Sequence, residues 1–147
     1  MRVADSFVVR ASLEKVWAFL LDIERMGRCV PGVEAIERVD DKTFRGKLKV
    51  RVGPVAAAFT GTAVLTEIEP PRRIVASLEG DDRSIASFVK ATFASTLTPI
   101  EGGIEVAYRM DVNLRGRLAQ FGTAVISATA KKMTAEFAKN VAAQLES

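Results

Sequence analysis

IEVAYRMDVNLRG (residues 104–116) runs straight into RLAQFGTAVISATAKKMTAEFAKNVAAQL (residues 117–145), and the junction between them sets the fold. In the first segment Ile104, Val106, Tyr108, Met110, Val112 and Leu114 alternate with Glu105, Ala107, Arg109, Asp111, Asn113 and Arg115. A period of two places alternate side chains on opposite faces of a strand. After Gly116 the period becomes 3.6, with Leu118, Phe121, Val125, Ile126, Met133, Phe137, Val141 and Leu145 along one stripe. This predicts a helix of about 30 residues, about 45 Å long at about 1.5 Å per residue. Such a helix can cross an entire small sheet.

Upstream, the chain reads as strands with two short helical stretches. Residues 3–10 alternate as a first strand, and Ser12 is a good N-cap for a helix carrying Leu13, Val16, Trp17 and Leu20 on one face. A second short helix is expected over Ile23–Cys29, stopped by Pro31-Gly32. A meander follows. Its cleanest period-two run sets Phe44, Gly46, Leu48, Val50 and Val52 against Arg45, Lys47, Lys49 and Arg51. Gly53-Pro54 and Pro70-Pro71 mark turns, and Gly80-Asp81-Asp82 is expected to be a loop. The strand over residues 56–68 has small or β-branched residues on both faces, so its inward register stays open.

The expected architecture is α+β: a curved seven-stranded antiparallel sheet around a long C-terminal helix, with two short helices after the first strand. The 147 residues fit a single domain. Small residues at Gly46, Gly61, Ala63, Ala76 and Ala91 thin the inner face of the sheet. Two packings suit that pattern: close contact of helix on sheet, or an apolar cavity between them. In the second case the wall falls to Trp17, Leu20, Cys29, Leu48, Val50, Phe59, Phe93, Tyr108, Met110, Val112, Phe121, Val125 and Met133. The Tyr108 hydroxyl then serves either a ligand carbonyl or a buried backbone group.

Composition narrows the chemistry. Apolar residues make up 48% and charged residues 27%, ordinary for a globular protein. No run approaches the roughly 18 apolar residues of a membrane-crossing helix, and the N-terminus does not resemble a signal peptide, so a cytoplasmic protein is expected. Histidine is absent, which removes the commonest metal ligand and general base. Cys29 is the only cysteine, so no internal disulfide forms, no metal site is expected, and the thiol reads as buried and structural. No catalytic set is assigned. The row Arg45, Lys47, Lys49 and Arg51 reads as a solvated outer face, with an anionic membrane or an acidic partner as alternatives. Nucleic acid is not expected, because no aromatic residues are interleaved with that row.

Several short signatures occur in fixed order: Val16-Trp17, Cys29-Val30-Pro31-Gly32, Val52-Gly53-Pro54, Phe59-Thr60-Gly61, Pro70-Pro71 and Leu118-Ala119-Gln120-Phe121-Gly122. In these the chain resembles the START-like (SRPBCC) superfamily with its helix-grip, or Bet v 1-like, fold. More closely it resembles the CoxG family, the G-type subunits of carbon monoxide dehydrogenase. The resemblance implies a non-enzymatic accessory protein of a molybdenum-containing hydroxylase of the carbon monoxide dehydrogenase type. It would hold a hydrophobic small molecule, such as a quinone, without covalent attachment, and recruit the enzyme to the inner face of the cell membrane as a peripheral protein. An assembly factor for a molybdenum hydroxylase, or a polyketide or aromatic cyclase, are the alternatives. Around Gly80–Ala91 the family tends to be glycine-rich, whereas this chain has Ser84, Ala86 and Ser87. Many relatives also continue into a longer tail beyond the position of Ser147.

Overall fold

The computed structural model describes residues 1–146. Strand β1 (Arg2–Val9) leads into helices α1 (Leu13–Leu21) and α2 (Ile23–Gly27). The meander is β2 (Val33–Arg38), β3 (Thr43–Val52), β4 (Val55–Glu69), β5 (Arg73–Asp82), β6 (Ser87–Ile100) and β7 (Gly103–Gly116). A 3-10 helix over Arg117–Phe121 then delivers the chain into α3 (Gly122–Leu145). The seven strands form one antiparallel sheet in the order β1-β7-β6-β5-β4-β3-β2.

Local chemistry accounts for most of the boundaries. Ser12 caps α1, its hydroxyl accepting from the Lys15 amide at 3.2 Å. Asp22 caps α2 in the same way through the Arg25 amide. Helix α2 ends two residues earlier than expected, at Gly27. Residues 80–82 are not a loop: β5 continues through Asp82, and the reversal falls on a 3-10 turn at Arg83–Ile85. The Asp82 carboxylate makes that turn, accepting from the Ser84 amide and hydroxyl at 3.0 and 2.6 Å and from the Ala58 amide at 2.8 Å. Its pKa lies below the usual carboxylate value, chiefly because of the Ala58 amide and then the Ser84 hydroxyl. Ala86 closes the turn in the left-handed region (φ +46°), a conformation glycine adopts at lower cost.

The long helix is shorter than the sequence stripe predicts. Its 24 residues span about 36 Å. Leu118 and Phe121 belong to the 3-10 segment before it, because Gly122 takes a positive φ that interrupts the helical path.

Pairing settles the register of β4. Phe44 faces Ala63, Gly46 faces Gly61 and Leu48 faces Phe59, so the inward set is Val55, Ala57, Phe59, Gly61, Ala63 and Leu65. A register shift between Leu65 and Glu67 ends that set. Gly61 also faces Gly80 across β5, giving a rung of three glycines through β3, β4 and β5. A Cβ on Gly61 would stand 2.3 Å from the Glu79 carbonyl oxygen. Glycine at this position therefore lets neighbouring backbones close up as the sheet coils, and does more than thin the inner face.

The apolar interior is divided in two. The larger cluster joins Val9, Val16, Trp17, Phe19, Leu20, Ile23, Cys29 and the sheet residues Phe44, Leu65, Ile74, Leu97 and Val106 to Val141 and Leu145 near the end of α3. The smaller one gathers Val52, Ala57, Phe59 and Leu118, with Val50, Phe121 and Ile126 packed against it.

Replacing Gly61 by alanine should cost about 1–3 kcal/mol, because the Glu79 backbone must shift to admit the methyl group. Gly80→Ala, whose nearest obstacle is 3.3 Å away, should cost less. Urea denaturation of both variants checks the order; equal losses would contradict the close-approach explanation.

Candidate functional site

Helix α3 is fastened to the rest of the protein at both ends. At its C-terminal end Asn140 Nδ2 donates to the Cys29 carbonyl at 2.9 Å, and Lys15 Nζ donates to the Leu145 carbonyl at 2.9 Å. Phe137 meets Phe7 edge to face, with ring centroids 5.8 Å apart. At the other end the fully buried Ser87 hydroxyl accepts from the Leu118 amide at 3.1 Å and donates to the Ile85 carbonyl. The Phe121 ring packs over Gly53 in the β3–β4 turn.

Between these fastenings α3 meets the sheet at Tyr108 and Thr134, and the side chains around that contact are loosely packed. The helix backbone runs nearest β1 and β3, toward the two margins of the curved sheet. Leu48, Phe93, Tyr108, Met110, Val112, Val125 and Met133 belong to neither apolar cluster. The first five point to the inner face yet are only half-buried. A cavity of about 650 Å³ opens on this side, lined by Pro31, Gly32, Lys49, Val50, Arg51 and Gly53 on one lip and by Ala124, Val125, Ala128, Thr129, Lys132, Met133 and Glu136 of α3 on the other. That volume lies within the usual range for small-molecule sites, about 300–1,000 Å³.

The mouth has a structural cause. β2 pairs with β3 only as far as Val33 opposite Leu48, followed by the Lys49 amide donating to the Gly32 carbonyl at 2.8 Å. Beyond that point β3 runs on to Val52 without β2 beside it, and the opening lies between this bare edge and α3. Gly32 permits the clamp: its φ is +91°, and a Cβ there would fall 2.0 Å from the Lys49 carbonyl oxygen.

Of the residues expected to line a cavity, Val50, Val125 and Met133 lie on the wall of the opening. Leu48, Phe93, Tyr108, Met110 and Val112 share the loosely filled inner face. Trp17, Leu20 and Cys29 sit instead in the closed core under α1 and α2, and Phe59 and Phe121 in the smaller cluster. The apolar face of α1 and α2 is consumed in packing against the sheet and the C-terminal end of α3.

One polar group stands on the half-filled inner face of the sheet, outside the lining of the opening. Tyr108 stacks on Phe93 with centroids 5.8 Å apart, and its hydroxyl is hydrogen-bonded to Thr134 Oγ1 on α3. Thr134 directs its own hydroxyl proton to the Ala130 carbonyl, 3.0 Å away. In that arrangement Tyr108 donates to Thr134 and keeps its oxygen lone pairs as acceptors. Burial raises the Tyr108 pKa, opposed by the Thr134 bond and aided by the Asp5 carboxylate. Asp5 faces Tyr108 across the β1–β7 pair, on the inner side of the sheet.

Sequence patterning does not single out Asp5, Thr134, Thr129 or Lys132. The signal for Asp5 is an acid inside the apolar alternation Val3, Phe7, Val9, and for Thr134 a polar residue inside the helical stripe. The placing of Lys132 opposite Arg51 has no sequence signal, because it depends on how α3 crosses the sheet. Among the described residues, no group of three or more Cys, Asp or Glu side chains is placed to hold a metal ion.

Burial raises the Cys29 pKa above its ordinary value, with Arg25 opposing the shift. The thiol therefore stays protonated near neutral pH. Iodoacetamide at about pH 7.5, roughly a unit below an ordinary thiol pKa, should leave folded protein unmodified and alkylate Cys29 once guanidinium unfolds it, as read by intact mass. Because the folded-state pKa lies above the unfolded one, this group's contribution to stability is intact below the unfolded value and is lost as pH rises through the folded value. Rapid labelling of the folded state would contradict the burial.

The fold is shared widely. A conserved protein from Geobacillus kaustophilus superimposes with a TM-score of 0.88 at 21% identity, covering 98% of this chain and 94% of that one. A START superfamily protein from Mycobacterium smegmatis gives 0.73 at 16% identity, covering 99% and 97%. The Zhui aromatase/cyclase from Streptomyces sp. R1128 gives 0.71 at 14% identity, covering 99% and 93%. At these identities the likeness is one of fold, and the fold is START-like. No curated protein matches the chain in sequence. The family model for CoxG, the G-type subunit of carbon monoxide dehydrogenase, matches residues 6–146, nearly the whole chain, and on that match the protein belongs to the CoxG family.

Proposed function

We propose that this protein is a non-enzymatic accessory of a molybdenum-containing hydroxylase, holding a lipophilic molecule under α3 and bringing the enzyme to the membrane surface. The observation that carries the reading is the break in the core: five inward side chains on the sheet, Leu48, Phe93, Tyr108, Met110 and Val112, join neither cluster. Protein interiors are ordinarily close-packed, so a half-filled apolar space beside an opening favours a guest molecule. Met110 and Met133 suit such a wall, since an unbranched thioether adapts to irregular shapes. An isoprenoid quinone is the guest most consistent with the family.

Catalysis has less support. Tyr108 keeps its proton near neutral pH because burial raises its pKa, so it is a poor base. Among the described residues no helix is long and apolar enough to cross a membrane, and the membrane contact proposed is a peripheral one.

Mass spectrometry of an organic extract tests the proposal, using protein purified from a quinone-producing host. Wild-type protein should yield an isoprenoid lipid near one equivalent. Met110→Lys, which places a charge against the guest, should yield roughly tenfold less while keeping its circular dichroism spectrum. An empty wild-type extract, with no uptake of menaquinone or ubiquinone analogues on reconstitution, would overturn the carrier reading and leave the assembly-factor role.

A further inference from the structure

The lining of the cavity sets three cations beside its apolar residues. Lys49 and Arg51 stand on the β3 lip and Lys132 on the α3 lip, and Glu136 is the only acid among the lining residues. Lys49 is already engaged by Glu34 at 3.2 Å. No carboxylate among the described residues lies within 4 Å of the Arg51 guanidinium or the Lys132 ammonium. Two cations without ion-pair partners therefore border the opening, beside Val50, Val125 and Met133.

The opposite side of the space is arranged differently. The inner face of β1 carries the Asp5 carboxylate beside Tyr108, and the Tyr108 hydroxyl proton is directed to Thr134. An anionic group carried past the opening to that inner face would meet a like charge and an oxygen acceptor. The same group at the mouth would meet Arg51 and Lys132. Charge thus gives the cavity a direction.

We infer that the cavity accepts a single-chain amphiphile with an anionic head, the head held at the mouth by Arg51 and Lys132 and the tail lying between α3 and the sheet. This rests on the reading of the cavity as a lipophile site and extends its guests beyond a neutral quinone to charged amphiphiles of fixed orientation. Carboxylate and phosphate heads share the required chemistry. Arg51 offers a planar set of donors that suits either, and Lys132 a compact point charge.

Displacement of the neutral dye Nile red distinguishes the cases, with dodecanoate, dodecyl phosphate and dodecanol as competitors below their micellar concentrations. One or both anions should displace the dye at concentrations about tenfold lower than the alcohol requires, as two exposed ion pairs would give. Which anion is favoured identifies the head. The preference should shrink at high salt. In the double variant Arg51→Gln, Lys132→Gln the advantage should vanish, while dodecanol displaces the dye as it does from wild type. Both side chains are exposed, so the variant should retain its fold, as its thermal melt would verify. If anion and alcohol compete equally in wild type, or the preference survives in the double variant, the head-group assignment is wrong and the lipophile site still stands. If neither the dye nor any competitor binds, both readings fall.

Discussion

Helix α3 is tethered at two ends that lie on different parts of the fold, and the space beneath it exists because of that separation. At one end Asn140 and Leu145 are bound to Cys29 and Lys15. At the other, Leu118 is bound to the buried Ser87. A helix of about 36 Å is too stiff to sag between these points. The sheet beneath it is bent, and its glycine rung lets the backbones of β3, β4 and β5 approach where a Cβ on Gly61 would collide. Between the two ends the helix touches the sheet through the Tyr108–Thr134 hydrogen bond, and the apolar side chains around that contact stay loosely packed.

The same arrangement separates the roles of the apolar residues. Those under the tethers are packed: Phe19, Val9 and Leu145 at one end, Leu118 and Val52 at the other. Those at mid-span are larger or more flexible, Met110, Met133, Phe93 and Tyr108, and remain half-exposed. Burying such surface is favourable at about 25 cal/mol per Å², so unfilled apolar wall is an unmet demand that a guest can satisfy.

Access depends on a mismatch in strand length. β3 outlasts β2, and the Gly32–Lys49 clamp fixes where the pairing stops. Arg51 is on the outer face by strand alternation, yet it reaches the cavity because the edge of β3 is bare there. The basic row of the sequence thus divides. Arg45 and Lys47 lie opposite Glu37 and Ala35 of β2, whereas Lys49 and Arg51 border the opening.

Periodicity in the chain determined the strands, the change to a helix after Gly116, the Ser12 cap and the inward face of β3, because these follow from short-range sterics and from the sorting of apolar residues. Family motifs such as Cys29-Val30-Pro31-Gly32 led to the START-like class. Periodicity placed the β5 boundary wrongly, since Gly80-Asp81-Asp82 has turn composition but is held in a strand by pairing with β4 and β6. It extended the helix too far toward its N-terminus, because it does not register the positive φ of Gly122. The expected architecture also set Trp17, Leu20 and Cys29 on a cavity wall, and the structure packs them into the larger apolar cluster. Only the tertiary structure decided the β4 register, the meeting of Tyr108 with Thr134, and the pairing of Arg51 with Lys132 across one opening. Those relations join residues far apart in the chain, and their geometry is set by how the sheet coils and where the helix is tied.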